Sequence, residues 1–278
     1  MSRHRCPQYE KAAAFLQGVM GPVVTQYQQM AQTGATPEQA SLVEGQLTWL
    51  CLIVGAVIRG RLTSSAADSQ EPLDGALASS VLVLLTSCDA GFHATRYAEP
   101  SRQRLDAAIL SFFQGFRKVY VGEQAMHASK VYQALTERLG LQNHLAVLSV
   151  MLEKIAKNLQ SYRWTGAQGF EMITGTLADD RSTLTATPAR ARRSSETVIG
   201  QTLELFKDLS DGYMSGKLLL KLEGSQFILT NHTADYFGFL KDPSNSRWRT
   251  LYYSTLARLL FLEDSPGKFR TFVLPLHR

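Results

Sequence analysis

The sequence of 278 residues has few of the side chains that form disulfides or metal sites. It contains three cysteines, Cys6, Cys51 and Cys88, an odd number without the spacing of a metal site. Cys51 lies inside an apolar run and Cys88 near the end of another. We therefore predict small buried thiols in a reducing compartment, which excludes the class of disulfide-rich secreted proteins.

The catalytic motifs that can be recognised from spacing alone are also missing. There is no glycine-rich loop ending in Lys-Ser or Lys-Thr, no Gly-x-Gly-x-x-Gly after a strand and no Gly-x-Ser-x-Gly. The six histidines lie far apart, and none forms the His-Glu-x-x-His pattern of zinc enzymes. We predict a protein that is not an enzyme and that has no catalytic residue, cofactor or bound metal.

The apolar runs are short for a membrane protein. The longest, Leu47 to Ile58, has about 12 residues, whereas a membrane-spanning helix needs about 20. Charged or polar residues stand on both sides of it, including Glu44 and Arg59. The basic N-terminus continues into polar residues, so we predict no secretory signal. The run is expected to be a buried helix, without membrane insertion.

The net charge of +5 is not distributed along one face. The surplus lies at the N-terminus and in one polar segment that contains Arg190, Arg192 and Arg193. A nucleic-acid-binding protein carries its basic residues along a folded face, often with aromatic residues between them. We therefore expect no nucleic acid among the partners.

What the sequence does contain is apolar residues at helical spacing. Thr36, Pro37 and Gln39 are typical of a helix N-terminus, with a threonine cap, a proline in the first turn and a glutamine that can return a hydrogen bond. A helix nearly apolar all round in its second half follows, and it must be covered on more than one side. Its apolar positions are Leu42, Val43, Leu47, Leu50, Val54, Val57 and Ile58.

Similar patterns recur, and no segment alternates with the period of two that marks a strand. Beside the helix after Thr36, we expect helices over 8–32 (interrupted or bent at Gly21-Pro22), 73–88, 100–121, 125–139, 144–159, 199–213, 215–229 and 246–262. Polar helices alternate with nearly apolar ones, which favours stacked helical repeats over a helix bundle. The predicted fold is all-α, an α-α superhelix (a HEAT-like repeat solenoid) of about nine helices.

The polar segment divides the chain. Residues 8–162 and 198–278 are predicted to be HEAT-like helical repeats, the second truncated at its end. Residues 163–197 are rich in Gly, Thr, Ser, Ala and Arg and predict an insert or a disordered loop. Within it, Arg190-Ala191-Arg192-Arg193 precedes Ser194 and Ser195, which makes both serines candidate phosphorylation sites for a basophilic kinase. The alternative is a solvated charged loop.

Two other patterns have structural interpretations. The aromatic stripe Phe112, Phe113, Phe116 and Tyr120 is expected in the core rather than around a ligand. Asn231-His232-Thr233 matches the glycosylation pattern, but we predict that it forms a helix end and a turn.

Several blocks resemble one family in a shared order: 47–50 with 53–58 and 60–61, 74–75, 110–113 with 116–122, 139–141, 147–150, 202–205, 208–210, 212–213, 221–222, 226–227, 231–233, 249–250, 253, 256–260 and 272–276. In these blocks the chain is similar to the exportin-7 family of nuclear transport receptors, within the importin-β superfamily. The resemblance covers nearly all of the chain except its first few residues and 163–197, which is either a lineage-specific loop or a gene-model error.

This resemblance implies a HEAT-type solenoid that carries protein cargo through the nuclear pore under the control of Ran-GTP. The implied partners are cargo proteins, Ran-GTP and nucleoporins, and the implied location is the nucleus and the cytoplasm. Family members are longer, and their N-terminal repeats, which chiefly hold Ran, have no counterpart here. We therefore expect a central fragment that contacts Ran mainly through parts missing from this chain. The alternatives are a helical-repeat scaffold without transport cycling and a non-functional truncated product.

Overall fold

The computed structural model describes residues 7–60, 70–121, 129–162, 188–242 and 245–277. These residues form eleven α-helices and no strand, which confirms the all-α prediction. The helices are α1 (Pro7–Thr33), α2 (Pro37–Gly60), α3 (Glu71–Cys88), α4 (Pro100–Tyr120), α5 (Val131–Leu139), α6 (His144–Ser161), α7 (Pro188–Ser210), α8 (Tyr213–Leu219), α9 (Glu223–Thr230), α10 (Ser246–Glu263) and α11 (Pro266–Val273). Short 3-10 helices occur at Gly91–Thr95, Gly238–Lys241 and Leu274–His277.

The described helices outnumber the nine expected. The segment 215–229 is divided between α8 and α9, because the chain is extended at Leu222. The short helix α11 was not predicted; it follows the left-handed residue Asp264 and has a proline in its first turn. Helix α7 begins at Pro188 instead of after 197. The rest of the expected insert, 163–187, lies outside the described residues.

The predicted helix ends are formed by the expected side chains. Thr36 N–H donates to Oε1 of Gln39 at 3.2 Å, and Gln39 N–H donates to Oγ1 of Thr36 at 3.3 Å, which is a reciprocal capping box. Asn143 Oδ1 accepts from the N–H of Ala146 at 3.0 Å at the start of α6. Gly140 ends α5 in the left-handed conformation, with φ of 70°. Asn231 caps the end of α9, which confirms the helix-end interpretation of 231–233.

Helix α1 was expected to be interrupted or bent at Gly21-Pro22, and it is not interrupted there. A proline inside a helix removes one backbone hydrogen bond and crowds the carbonyl four residues earlier. That carbonyl belongs to Gly18, and both Gly18 and Pro22 are exposed. Water can therefore hydrogen-bond the Gly18 carbonyl, which lowers the free-energy cost of the missing backbone hydrogen bond.

The chain divides into two compact units, which are described separately. The first unit consists of residues 1–96 and 104–151, and the second of 97–103 and 152–278. Helices α4 and α6 contribute residues to both units. In the first unit α3 packs mainly against α1 and α5, and α1 packs against α2. The aromatic stripe of α4, Phe112, Phe113, Phe116 and Tyr120, is buried in this unit, as predicted.

A buried carboxylate joins several helices of the first unit. Asp74, at the start of α3, accepts hydrogen bonds from the hydroxyls of Tyr9 in α1 and Tyr120 in α4. The Tyr132 hydroxyl of α5 in turn donates to the carbonyl of Tyr120 at 2.6 Å. Burial raises the pKa of Tyr132, so its hydroxyl keeps the proton that it donates. The network fixes the ends of these helices because each partner would otherwise be a buried polar group without compensation.

A buried ion pair fixes the position of α2 within the first unit. It joins Glu44 of α2 to Arg96, which follows the 3-10 helix Gly91–Thr95. Both guanidinium nitrogens Nε and Nη2 of Arg96 donate to the carboxylate of Glu44, at 3.3 and 3.1 Å. Both side chains are almost fully excluded from solvent. Two charges buried together need this geometry, because removing either one leaves the other uncompensated.

In the second unit, polar and aromatic side chains make contacts between neighbouring elements. The Asn158 amide of α6 donates to the Thr202 hydroxyl of α7 at 3.2 Å. His232 stacks on Phe272 of α11 with ring centroids 4.0 Å apart. Its Nδ1 lies 2.9 Å from the Leu229 carbonyl, so this nitrogen carries the proton. Stacking on His232 therefore gives α11 its buried anchor.

Helix α2 is the one helix among the described residues whose length and composition would suffice to cross a membrane. One face of it packs against α1 and α3. That face contains Glu44 and its ion pair with Arg96. These contacts support the interpretation of α2 as a core helix.

Gly75 shows how closely α3 and α5 approach. A Cβ atom at this position would lie 2.6 Å from the carbonyl oxygen of Val131 and 3.0 Å from the Cβ of Ala134. The Val131 oxygen is a backbone atom and the Ala134 Cβ is fixed to the backbone, so neither can move aside by a change of rotamer. The pair of helices can pack this closely only with glycine at position 75.

We therefore expect Gly75→Val to lower the free energy of unfolding by about 2–3 kcal/mol, since overpacking forces α3 and α5 apart. The matched control is Gly45→Val in α2, where nothing lies within 4 Å of the added Cβ. It should be neutral or stabilise by a few tenths of a kcal/mol. Urea unfolding of both variants measures the difference, and equal stabilities would contradict the close approach.

Cys51 and Cys88 are buried, as predicted, and neither forms a disulfide, whereas Cys6 lies outside the described residues. Burial raises the pKa of the Cys51 thiol, and the neighbouring Cys88 raises it further. A raised pKa leaves less of the reactive thiolate than an ordinary cysteine has at pH 8.

In a Cys6→Ser background we expect both remaining thiols of the native chain to react with an aromatic disulfide reagent at pH 8 at least about 100-fold more slowly than after unfolding in guanidinium, since they must be exposed first. Absorbance of the released thiolate measures both rates. Rapid reaction of the native chain would contradict the burial of these residues.

Candidate interaction surface

The buried histidines of the described chain take part in packing. His93 stacks on Tyr27 with ring centroids 3.7 Å apart, and its Nε2 lies 2.9 Å from the Tyr27 carbonyl. A carbonyl only accepts, so this Nε2 carries a proton and cannot ligate a metal in that state. Within the ranges that the structure describes, no group of three or more His, Cys, Asp or Glu is placed to hold a metal ion.

The most distinctive exposed surface is on α2. Leu42, Trp49 and Ile53 have 66%, 69% and 42% of their surface accessible. They are separated by seven and four residues, which places them on one side of the helix. We call these three residues the α2 apolar face.

The position of this face follows from the residues that α2 buries. Val43, Leu47, Leu50 and Val54 are buried on the side that packs against α1 and α3. The α2 apolar face points away from that side, because at about 3.6 residues per turn positions 42, 49 and 53 lie on a different side of the helix from the buried positions. Leu42, which belongs to the predicted apolar pattern, is therefore exposed, whereas α2 packs against α1 and α3 and closely approaches Phe112 of α4 at Gly55.

The chemistry of the α2 apolar face suits contact with another protein surface. It combines an indole with two aliphatic side chains and has no charged group among its three members. Single exposed apolar residues are ordinary in soluble proteins, but an aligned row that includes tryptophan is typical of binding surfaces. Tryptophan is also one of the residues that most often carry binding energy.

Other exposed apolar residues lie late in the second unit. Phe261 of α10 is 85% accessible, and Phe269 of α11 is 56% accessible. The C-terminal 3-10 helix adds Leu274 and Leu276, which are also exposed. His232 and Phe272 hold α11 while Phe269 faces solvent. These exposed residues lie on elements that follow one another in the sequence.

The two serines proposed from the sequence are both in helix α7. The Ser195 hydroxyl is half-buried and accepts a hydrogen bond from the Gln103 amide at 2.8 Å. The side chain of Ser194 lies outside the described residues. Ser195 therefore belongs to a packed helix start instead of the solvated loop that the composition suggested.

Sequence reasoning missed the Asp74 and Arg96 contacts as well as the α2 apolar face. The face could not be told apart in the sequence, because Trp49 and Ile53 are as apolar as the positions that α2 buries. The polar contacts had no local signal, because their partners lie 46 or more residues apart in sequence. Only the folded chain brings them together.

The sequence matches one family model over most of its length. Residues 4–178 and 186–248 match the model described as an exportin-7-like TPR domain. Between these two ranges only 179–185 is unmatched, so most of 163–197 aligns with the family instead of forming a segment foreign to it. No solved structure matches the chain significantly.

Curated relatives extend the match to nearly the whole chain. Exportin-7-B of Xenopus laevis is 34% identical over 280 residues, which cover 98% of this chain and 22% of the relative. Ran-binding protein 17 of Homo sapiens is 32% identical over 281 residues, again covering 98% of this chain and 22% of the relative. The chain thus spans about a fifth of the length of the curated relatives it matches.

Exposure of Trp49 predicts a clear stability difference on α2. Trp49→Ala should change the free energy of unfolding by no more than about 0.5 kcal/mol, because the indole makes few buried contacts. Leu47→Ala, two positions away on the buried side, should cost about 2–5 kcal/mol. Chemical denaturation of both variants makes the comparison. A cost for Trp49→Ala as large as that for Leu47→Ala would show that the α2 apolar face is covered.

Proposed function

The chain belongs to the exportin-7-like family, and on this premise we propose that it is a protein-binding segment of a nuclear export receptor. The observation that carries the proposal is the match along nearly the whole chain to relatives named exportin-7. Other relatives carry Ran binding in their names. Since the chain corresponds to a fraction of those proteins, export belongs to the longer protein and this segment contributes part of its binding surface.

The proposed mechanism uses binding alone. Ran-GTP and a cargo protein bind the same receptor, and each stabilises the arrangement of helices that the other prefers. Such coupling is reciprocal, so Ran-GTP raises the affinity for cargo by the factor by which cargo raises the affinity for Ran-GTP. The receptor shuttles between the nucleus and the cytoplasm and contacts nucleoporins during passage. No covalent step is required of this segment, and we propose that it is not an enzyme.

The α2 apolar face supports a binding role for the segment itself. Its three side chains are exposed although α2 is otherwise a core helix, and they carry no charge that would oppose an apolar partner. We propose that this face contacts a protein partner, whereas Ran-GTP is held chiefly by parts of the longer protein outside these residues. No nucleic acid is included among the proposed partners, since the surplus of basic residues in the sequence lies at the N-terminus and in 163–197.

The experiment that tests the proposal uses the full-length product of the gene. The protein is immobilised and offered nuclear extract with Ran loaded with a non-hydrolysable GTP analogue or with GDP. Captured proteins are then quantified by mass spectrometry. We expect a defined set of proteins to be retained at least about fivefold better with the GTP analogue, at the lower end of typical coupling. Capture that is indifferent to the nucleotide would support the alternative, a helical-repeat scaffold without transport cycling.

A second measurement assigns the Ran contact within the protein. Calorimetric titration of the 278-residue chain with Ran-GTP should give a dissociation constant weaker than about 1 µM, equivalent to less than about 8 kcal/mol of binding free energy. The full-length protein, titrated in parallel, is the positive control, and Ran-GDP is the negative one. Sub-micromolar binding by the 278-residue chain would place the main Ran site inside it.

A further inference from the structure

We propose that Ser195 is a phosphorylation site for a basophilic protein kinase, and that the phosphate detaches the first turns of α7 from the segment 97–103. The inference concerns regulation and does not depend on the proposed transport function. It rests on the arginines that precede Ser195 in the sequence and on the hydrogen bond that its hydroxyl makes in the fold.

The arginine spacing singles out Ser195. Arg190, Arg192 and Arg193 stand five, three and two residues before it. Guanidinium groups at these spacings can pair with carboxylates of a kinase, since arginine forms strong two-pronged hydrogen bonds with acidic groups. The same arginines stand four, two and one residues before Ser194, so the two serines present different patterns to a kinase.

The hydroxyl of Ser195 is part of a small hydrogen-bonded cluster in the second unit. The side-chain amide of Gln103 donates to it at 2.8 Å, and the same nitrogen lies 3.0 Å from the Tyr97 carbonyl and 3.3 Å from the Ala98 carbonyl. Gln103 is almost fully buried. The amide thus joins the start of α4 and its lead-in residues to α7.

On the side of the segment 97–103, the described contacts around Ser195 would offer a phosphate mostly acceptors. The two carbonyls that share the Gln103 amide are acceptors, and the buried Gln103 Oε1 has no partner within the described part of the chain. The phosphate would add about two negative charges and three more acceptor oxygens beside one shared donor. Such a group must remain hydrated, so phosphorylation favours the arrangement in which Ser195 has left Gln103.

The one basic residue of the segment 97–103 is Arg102, and it is otherwise engaged. The Arg102 guanidinium lies over the Tyr97 ring, 4.9 Å from its centroid, and is fully buried. It also takes part in a further interaction. To bind the phosphate, Arg102 would have to give up these contacts. In that competing outcome the segment 97–103 would become more ordered, whereas detachment of α7 would make it less ordered.

The transfer itself is an ordinary phosphoryl transfer. The Ser195 Oγ attacks the γ-phosphorus of ATP in the kinase, forming an O–P bond while the bond to the β–γ bridging oxygen breaks and ADP leaves. The hydroxyl proton passes to the general base of the kinase. Because Ser195 is half-buried in a helix, the first turns of α7 must open before the reaction, as helix ends do more readily than helix interiors.

The test uses the intact chain, a purified basophilic kinase and magnesium ATP. Mass spectrometry should locate phosphate on Ser195, and Ser195→Ala should abolish it while Ser194→Ala leaves it in place. Arg192→Gln should lower the rate of incorporation at least about tenfold, by loss of one charged pairing. Phosphate on Ser194 alone, or on neither serine, would overturn the assignment.

Hydrogen exchange tests the structural consequence. In the phosphorylated chain the peptide spanning 97–106 should exchange at least about fivefold faster, which corresponds to the loss of roughly 1 kcal/mol of local stability. Peptides of α3 in the first unit serve as the internal control and should not change. Unchanged exchange at 97–106 would overturn the proposed detachment, and so would slower exchange, which is the result expected if Arg102 captured the phosphate.

Discussion

The first unit depends on one buried carboxylate. Asp74 lies at the start of α3 and accepts hydrogen bonds from Tyr9 of α1 and Tyr120 of α4. Apolar stripes alone would let these helices slide past one another, since burial of apolar area has no direction. A buried carboxylate allows only positions in which its donors reach it, because leaving it without them would be costly. The register between the helices is therefore set by polar groups and the affinity between them by apolar ones.

Much of the secondary structure could be predicted because its signals are local. The capping box of Thr36 and Gln39 and the cap at Asn143 each lie within a few residues of the helix that they start. The aromatic stripe of α4 identified its buried side for the same reason. The break between α8 and α9 could not be seen, since 215–229 keeps apolar residues on both sides of the extended residue Leu222. The start of α7 at Pro188 was hidden by a polar composition that resembles a loop.

The candidate surface was predicted least well, and the reason is physical. Exposure is decided by what the neighbouring helices fail to cover, which no local pattern contains. The apolar positions of α2 suggested coverage on several sides, yet Trp49 and Ile53 remain accessible. The family assignment came from blocks that are mostly core positions, so it established the fold more firmly than the contacts. The family of a segment can thus be recognised from its core residues, whereas the residues that contact partners are recognised only from the exposed surface of the folded chain.

The proline within α1 has a mechanical consequence. Pro22 leaves the Gly18 carbonyl without its usual amide donor, and both residues are exposed to water that can solvate the gap. The halves of α1 on either side are anchored separately, by Tyr9 through Asp74 and by Tyr27 through His93. One backbone hydrogen bond is therefore missing between two separately anchored halves of the helix, and a proline is a common place for a helix to bend. A bend at this position would change the angle between the halves while each kept its own anchor.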